Sequence, residues 1–548
     1  MGTEQTSLEL IRKLSAVGIA LSAEKDNDRL MELILQSAKD VANADGGTLY
    51  SRADDGTLKF EIMLTDSLGI HMGGTSGKPI TLPPVRLHAD DGLPNNENIA
   101  ARAAVSGETV NVPDAYHAEG FDFSGTRDFD SKTGYRSTSF LTVPMRNHED
   151  EVTGVLQLIN ARGNDGDGVV SFTDEDQLIV ESLASQAAIA LTKKRLLDEQ
   201  RELFEAFIEL MAAAIDDKSP YTGGHCRRVP ELTMMLADAA AATDEGPLSD
   251  FSMSDDDRYE LRIAGWLHDC GKVTTPEYVV DKSTKLETIY DRINEIDTRF
   301  EVLKRDAEIE LLREQLARVA EGESPVMEGV DAQLAARVSE LDEERAFLGR
   351  TNIGGEFLDP KAKEKVLDIA KRGWVDGSGD ARVLLTENEA YNLSINRGTL
   401  TTEEREVINY HIVATIKMLE QLPYPKHLRR VPEFAGGHHE RMDGKGYPRG
   451  LTRDQMSVQA RVMGIADIFE ALTAGDRPYK RAMPISEALT ILGRMKEDNH
   501  VDPDLFDVFV KHKIYMRYAE KFLEPEQIDE VDLSNIPGYQ ASPRELAS

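Results

Sequence analysis

Cysteine is nearly absent: the 548-residue sequence has two, Cys226 and Cys270. That is too few for a disulfide framework in a chain of this length and fits a reducing compartment. Positive charge is also scarce, with 63 Lys and Arg against 98 Asp and Glu and a formal net charge of -35. Such a surface repels nucleic-acid phosphates, which excludes a duplex-coating protein and leaves no DNA partner. It does not exclude a small phosphorylated ligand, because a few cations or metal ions reverse the field inside one cleft. No apolar run reaches the roughly 18 residues of a membrane span, and the N-terminus lacks the basic-then-apolar layout of a signal peptide. These absences predict a soluble, cytoplasmic chain without a membrane span. At about 150 residues per domain, the length predicts three or four folding units.

The first segment shows helical periodicity from Leu8 to Asn43, with Leu30, Ile34, Ala38 and Ala42 at four-residue spacing. Two stretches then read as hairpins, "GGTLYSRADDGTLKFEIM" and "SFLTVPMRNHEDEVTGVLQLINA", because each has apolar runs flanking a polar connection. Together these predict an α+β domain. From Asp174 to Asp216 the pattern is helical without Gly or Pro, and Thr173 is placed to cap its start. Its apolar positions Leu178, Leu183, Ala187, Ala190, Leu197, Leu203, Phe207 and Leu210 suit either a parallel dimer seam or packing on the flanking domains.

After Tyr221 almost everything reads as helix and loop. Between Asp281 and Asn392 a charged block carries Leu286, Ile289, Ile293, Ile296, Phe300, Leu303 and Ala307 in alternating three- and four-residue steps. A break at "EGESP" precedes a second helical stretch from Asp331 to Phe347. The block is expected to be an antiparallel helical hairpin inserted into another fold.

The same half of the chain holds His225, His268, Asp269, His411, His438, His439 and Asp467. Imidazoles with carboxylates suit iron, manganese or zinc, and the missing cysteine pairs exclude a thiolate site. Neighbouring side chains on a helix diverge by about 100°, so His438 and His439 serve two ions, or one ion and a substrate, better than one ion together. Asp269, beside a candidate ligand, is placed to bridge two cations. Lys272 follows it by three residues and on a helical turn lies on the same side. Metals with a lysine suit cleavage of a phosphate ester.

These residues also carry a family resemblance. "WLHDCGK" at 266–272 resembles the His-Asp signature of the HD phosphohydrolase superfamily, and "HHERMDGKGYP" at 438–448 resembles the second signature of its HD-GYP group. "YTGGHCRRV", "INYHIVATIKML" and "IADIFEALTAGDRPYK" fit the same group. The resemblance implies a helical domain hydrolysing cyclic di-GMP at a two-metal centre, with Fe, alternatively Mn, as the ions. Carried over by position, the metal ligands are His225, His268, Asp269, His411, His438, His439 and Asp467. Asp269 and Lys272 are the catalytic pair, and Lys272, Tyr447, Arg477 and Lys480 contact substrate. Each substrate contact has a bland alternative: Arg477 and Lys480 on a solvated loop, Tyr447 as a packed turn aromatic or a partner contact. Some members have a Glu four residues before the first ligand histidine, associated with a third metal; Tyr221 stands there, so two ions are expected. His268 and His411 lie 143 positions apart, whereas the family uses a short segment.

The first domain resembles a GAF sensor domain, most clearly over "TGYRSTSFLTVPMRNHEDEVTGVLQLINARG". In the related cyclic-nucleotide phosphodiesterase pattern Asn160, Phe172 and Asp176 match, while Ala161 and Gln177 do not. A cyclic nucleotide in that pocket and a ligand-free dimerisation module are both compatible with this. The expected organisation is a GAF domain over 1–175, a connecting dimer helix over 176–218, an all-α HD-GYP domain over 219–281 and 393–520 interrupted by the insertion 282–392, and a tail over 521–548. Four functions compete: hydrolysis of cyclic di-GMP to pGpG and onward to GMP, hydrolysis of a mixed GMP–AMP dinucleotide, a general metal phosphohydrolase, and a non-hydrolysing cyclic di-GMP receptor. A homodimer through the connecting helix and a protein partner at the insertion or the Gly446–Pro448 loop complete the expectations.

Overall fold

The computed structural model describes residues 2–163, 168–218, 224–326, 329–355, 357–475 and 482–540, with side chains from Arg12 onward. The chain divides into two compact units, Met1–Phe204 and Glu205–Ser548.

The first unit opens with α1 (Gly2–Ala23) and α2 (Asn27–Val41), two helices where the periodicity predicts one. Asp26 accounts for the break: its backbone is extended, and its carboxylate accepts from Arg29 N at 2.8 Å to cap the second helix. An antiparallel sheet follows, with β1 (Ala44–Arg52), β2 (Thr57–Thr65), β3 (Ile70–Gly73), β4 (Val85–Arg86), β5 (Val110–Val112), β6 (Phe140–Arg146), β7 (Val152–Arg162) and β8 (Val169–Val170). The strand order is β3-β2-β1-β7-β6-β5, with β4 on β2 and β8 on β7. Both expected hairpins, β1–β2 and β6–β7, are present and adjoin through β1–β7. Helices α3 (Ile99–Ser106) and α4 (Ser124–Thr133) lie between β4 and β6 in sequence. Ala100, Ala101 and Ala104 of α3 pack with Tyr50, Leu58 and Val155 of the sheet. A larger core joins Ile34, Leu35 and Ala38 of α2, Leu49, Leu156 and Leu158 of the strands, and Val180, Leu183 and Ala187 of α5 (Asp174–Lys218).

The helix α5 begins as expected, with a reciprocal cap in which Asp176 N donates to Thr173 Oγ1 at 3.1 Å and Thr173 N donates to Asp176 at 2.9 Å. The apolar positions proposed as one seam divide. Leu183 and Ala187 are buried in the sheet core, with Ala190 packed on it, whereas Leu178, Leu197, Leu203, Phe207 and Leu210 are exposed.

The second unit is helical. It contains α6 (His225–Ala241), α7 (Asp255–Leu267), α8 (Glu277–Val280), α9 (Ile293–Ala320), α10 (Val330–Asn352), α11 (Pro360–Ala370), a small hairpin β9 (Gly373–Val375) and β10 (Ala381–Val383), then α12 (Glu387–Leu393), α13 (Thr402–Glu420), α14 (Val431–Gly436), α15 (Val458–Thr473), α16 (Ile485–Glu497), α17 (Pro503–Lys511) and α18 (Ile514–Phe522). Reciprocal caps start α7 at Ser254 with Asp257 and α13 at Thr401 with Glu404. Under α15, Phe469 meets Phe509 and Tyr518 edge-on, at 5.0 and 5.9 Å between ring centres. These aromatic contacts pin the helix that carries Asp467.

The helical hairpin expected between Asp281 and Asn392 exists as α9 and α10 but is only part of that segment. Ile296, Phe300, Leu341 and Leu348 share a core with Val366, Ile369, Leu384, Leu385, Ala390 and Leu393, so α11, the β9–β10 hairpin and α12 fold onto it. Ile289, assigned to the seam by spacing, precedes α9 and is 97% exposed. At its base the segment closes on itself. Lys282 Nζ donates to Asn392 Oδ1 at 2.9 Å and to Glu404 at 2.7 Å, and Lys285 Nζ donates to the carbonyls of Leu393 and Ile395 at 3.2 and 2.9 Å.

Burial pushes Lys285 down to about 8. Below that pH the folded state carries the full cost of a buried ammonium. Between pH 8 and the ordinary lysine range the unfolded chain binds more protons than the folded one, so stability rises with pH. The stability of a Lys285→Gln variant relative to wild type, from urea midpoints, should therefore be greatest at pH 7 and shrink toward pH 10; a pH-independent difference contradicts this.

Candidate metal centre

Five segments bring the candidate residues together. Gly224, at φ 85°, turns the chain through a left-handed conformation open to glycine, and α6 begins directly with His225. His268 is the C-cap of α7, and Asp269 precedes a short 3-10 turn, Cys270–Thr274. His411 projects from α13, His438 and His439 follow α14, and Asp467 lies on α15.

The imidazoles are oriented by a repeated device. The Nδ1 of His268 donates to Gly265 O at 2.7 Å, that of His438 to Ala435 O at 2.6 Å, and that of His411 to Ile408 O. Each acceptor lies three residues back in the chain. His225 Nδ1 pairs instead with the buried carboxylate of Glu470, which also receives Arg228 Nε at 2.7 Å. Anchoring one ring nitrogen fixes the other, here Nε2, as a lone-pair donor toward the centre.

Two groups of potential ligand atoms result. One comprises His225, His268, Asp269 and Asp467, the other His411, His438 and His439, and within each the atoms lie within 4.8 Å of one another. Asp269 faces both. Its Oδ2 is 3.2 Å from His225 Nε2 and 3.3 Å from His268 Nε2, while its Oδ1 is 3.2 Å from His411 Nε2 and 4.0 Å from His438 Nε2. Asp269 Oδ1, His411 Nε2 and His438 Nε2 are buried without a hydrogen-bond partner. An unsatisfied buried polar atom costs about 1–3 kcal/mol, and three that converge fit a cation. The nitrogen and oxygen donors suit a divalent first-row metal.

The electrostatics point the same way. Burial opposes charge on Asp467, but the bond from His225 and the nearby His438 hold it well below the usual carboxylate range. Asp269 is also held well below that range: burial opposes its charge, and Lys272 is the strongest of the groups that overcome it. Burial keeps His438 far below the usual imidazole value and lowers His439 to about 4, so both are neutral near pH 7. Burial also opposes charge on His225, yet Glu470 and the Asp269 and Asp467 bonds push it well above its ordinary value. A cation there competes with a proton for Nε2.

The remaining candidates fall in different places. Lys272 Nζ pairs with Asp269, as its spacing predicts. Tyr447 stacks on His439, with ring centres 4.9 Å apart and planes at 22°, and its N donates to His439 O at 3.3 Å. The loop behind it is held by Glu440, which accepts from Arg449 N and Leu451 N at 2.7 and 2.9 Å. Arg441 and Asp443 form a two-pronged pair at 3.0 and 2.9 Å. Arg477, Lys480 and Tyr221 lie outside the described residues.

In the first unit, Asn160 is buried. It accepts from Thr138 N at 2.7 Å and donates to Arg136 O at 2.8 Å. Phe172 lies in the sheet core, and Asp176 caps α5. Local structure occupies all three residues proposed for a GAF pocket. Sequence reasoning missed Glu470 and Arg228, which support His225. The available signal was spacing, since each follows a candidate ligand by three residues and shares its helix face.

Comparison with known proteins defines the class. A GAF domain family profile matches residues 26–191, an HD domain profile matches 222–345, and a second HD domain profile matches 386–505. The chain therefore carries a GAF domain followed by an HD-domain region. It is 42% identical over 116 residues to the 3'3'-cGAMP-specific phosphodiesterase 3 of Vibrio cholerae, covering 21% of this chain and 24% of that protein. It is 48% identical over 115 residues to a cyclic di-GMP phosphodiesterase of Pseudomonas aeruginosa, covering 21% and 26%. With the cyclic di-GMP phosphodiesterase of Thermotoga maritima it shares 33% identity over 114 residues, covering 21% and 30%. The matches span less than a third of each of these relatives. Among the described residues no helix is long and apolar enough to cross a membrane.

The closeness of α13 to the Asp269 turn depends on Gly271, whose N donates to Thr415 Oγ1 at 2.9 Å. A β-carbon there would lie 2.0 Å from the His411 carbonyl oxygen and 2.6 Å from Thr415 N. Gly271→Ala should destabilise the protein by about 1–3 kcal/mol and reduce the manganese retained after desalting. Unaltered denaturation and metal content would show that the two segments need not approach so closely.

Proposed function

We propose that this site is a binuclear, metal-dependent phosphodiesterase centre that opens cyclic di-GMP to linear pGpG, with GMP as a further product. The observation that supports two ions is the disposition of Asp269, whose two oxygens belong to different groups of imidazoles. In this reading His225, His268 and Asp467 hold one ion, His411, His438 and His439 hold the other, and Asp269 is shared. Divalent ions so held, Fe or alternatively Mn, supply Lewis-acid charge to phosphoryl oxygens and make water nucleophilic near neutral pH.

The protein's own groups then orient the substrate. Hydrolysis forms one P–O bond from water, breaks one ester P–O bond and sends a proton to the departing ribose oxygen. Lys272 Nζ, beside Asp269, is placed to turn a proton toward a non-bridging phosphate oxygen and offset the charge that grows there. Tyr447 holds the His439 ring by stacking. Arg477 and Lys480 are assigned to the ligand's remaining polar groups.

A mixed GMP–AMP dinucleotide is the second reading, favoured by the relative specific for 3'3'-cGAMP. Regulation by the GAF domain and a homodimer through α5 belong to the same proposal. Ile189, Leu196, Leu203 and Leu210, seven residues apart and all exposed, support the dimer; a monomer in sedimentation would remove that part.

The purified chain, loaded with Fe(II) or Mn(II) and incubated with a panel of cyclic dinucleotides, should give linear product from cyclic di-GMP. His268→Ala and His438→Ala should each lose turnover by at least about 100-fold and lower bound metal. Tight binding without product under either metal would instead identify a receptor.

A further inference from the structure

We infer that the last turn of α5 positions the metal centre through Asp216 and Lys218, two residues outside the ligand set. The inference rests on the metal-binding reading of the site but assigns these residues a role that reading does not need.

Helix α6, which begins with His225, has no capping side chain of its own because its N-cap is Gly224. The buried carboxylate of Asp216 takes that place from a different helix, accepting from Gly224 N at 3.1 Å and from Cys226 N at 3.2 Å. These amides flank His225, so Asp216 fixes where its backbone lies. The carboxylate also meets the positive end of the helix, where such groups are stabilising.

Two residues later, Lys218 Nζ donates to three carbonyls, those of Lys272 at 3.1 Å, Val273 at 2.6 Å and Thr275 at 2.6 Å. These are the closing carbonyls of the turn that starts after Asp269 and contains Lys272. The ammonium uses its three protons to hold the end of that turn, adding a second donor to the Lys272 carbonyl, which also accepts from Thr275 N at 3.0 Å.

One helical turn therefore grips two segments that are separate in sequence. Through Asp216 it holds the segment carrying His225, and through Lys218 the segment carrying Asp269 and Lys272. His225 Nε2 and Asp269 Oδ2 lie 3.2 Å apart across these grips. A displacement of α5 at this end alters their separation and with it the fit for a cation. Because α5 starts at Asp174 in the first unit, it is also the covalent connection from the GAF domain to these two bonds.

The test is a calorimetric titration of the metal-free full-length protein with Mn(II), with stoichiometry checked by elemental analysis. Asp216→Ala and Lys218→Met should each weaken Mn(II) binding by about 10- to 100-fold, the range for residues that support ligands. Asp216→Asn and Lys218→Arg, which keep an acceptor and a donor, should restore most of it. The metal-free variants should retain a cooperative thermal transition. Wild-type affinity in both disruptive variants overturns the inference while leaving the metal site intact. A loss that tracks collapse of the metal-free transition, without rescue, makes the residues merely structural and also overturns it. If the wild type binds no Mn(II), the reading of the site falls, and the inference falls with it.

Discussion

A buried carboxylate that must face imidazoles on two sides organises the second unit. Asp269 is almost wholly enclosed, and each of its oxygens is directed at a different set of rings. Desolvation makes a charge in that position costly unless counter-charge surrounds it, and Lys272 alone does not satisfy both oxygens. The surrounding helices are arranged to supply the rest. The caps of α7 and α13 set where those helices begin, and the aromatic packing under α15 fixes its position. The backbone carbonyls of Gly265, Ile408 and Ala435 turn three rings inward.

The same constraint explains why glycine matters at Gly271. Bringing two segments from distant parts of the sequence close enough to share one carboxylate leaves no room for a β-carbon. It also bears on the long segment between Asp281 and Asn392. Its ends are tied together by Lys282 and Lys285, so the length between them is looped out from a closed base. The segment has its own core, independent of the imidazoles.

Much of the candidate site was legible in the sequence because the candidate ligands sit in runs with fixed local geometry. A histidine followed by an aspartate at a helix end, and paired histidines after a short helix, specify both residue type and placement. The division of the candidate ligands into two groups around Asp269 was anticipated only as a bridging role, because which oxygen meets which ring depends on contacts between distant segments. Glu470 and Arg228 escaped notice for a related reason, since neither is a ligand and their meeting with His225 is tertiary. In the first unit the two hairpins were clear from alternation, while the break at Asp26 falls in the largely polar run 22–29, where no apolar spacing marks a helix face and the cap is a local hydrogen bond. On α5, spacing alone could not separate Leu183 and Ala187, which enter the core, from Leu203 and Leu210, which face outward. The hairpin between α9 and α10 was visible in its heptads, whereas α11 and the β9–β10 ribbon were not, being too short to show a period.

The shared carboxylate is tested most directly by electron paramagnetic resonance of the protein loaded with Mn(II). Two ions joined by Asp269 should give the spectrum of an exchange-coupled pair, and Asp269→Asn should abolish it. Two Mn(II) ions bound with uncoupled hyperfine patterns, or a coupled spectrum that survives Asp269→Asn, would contradict the account.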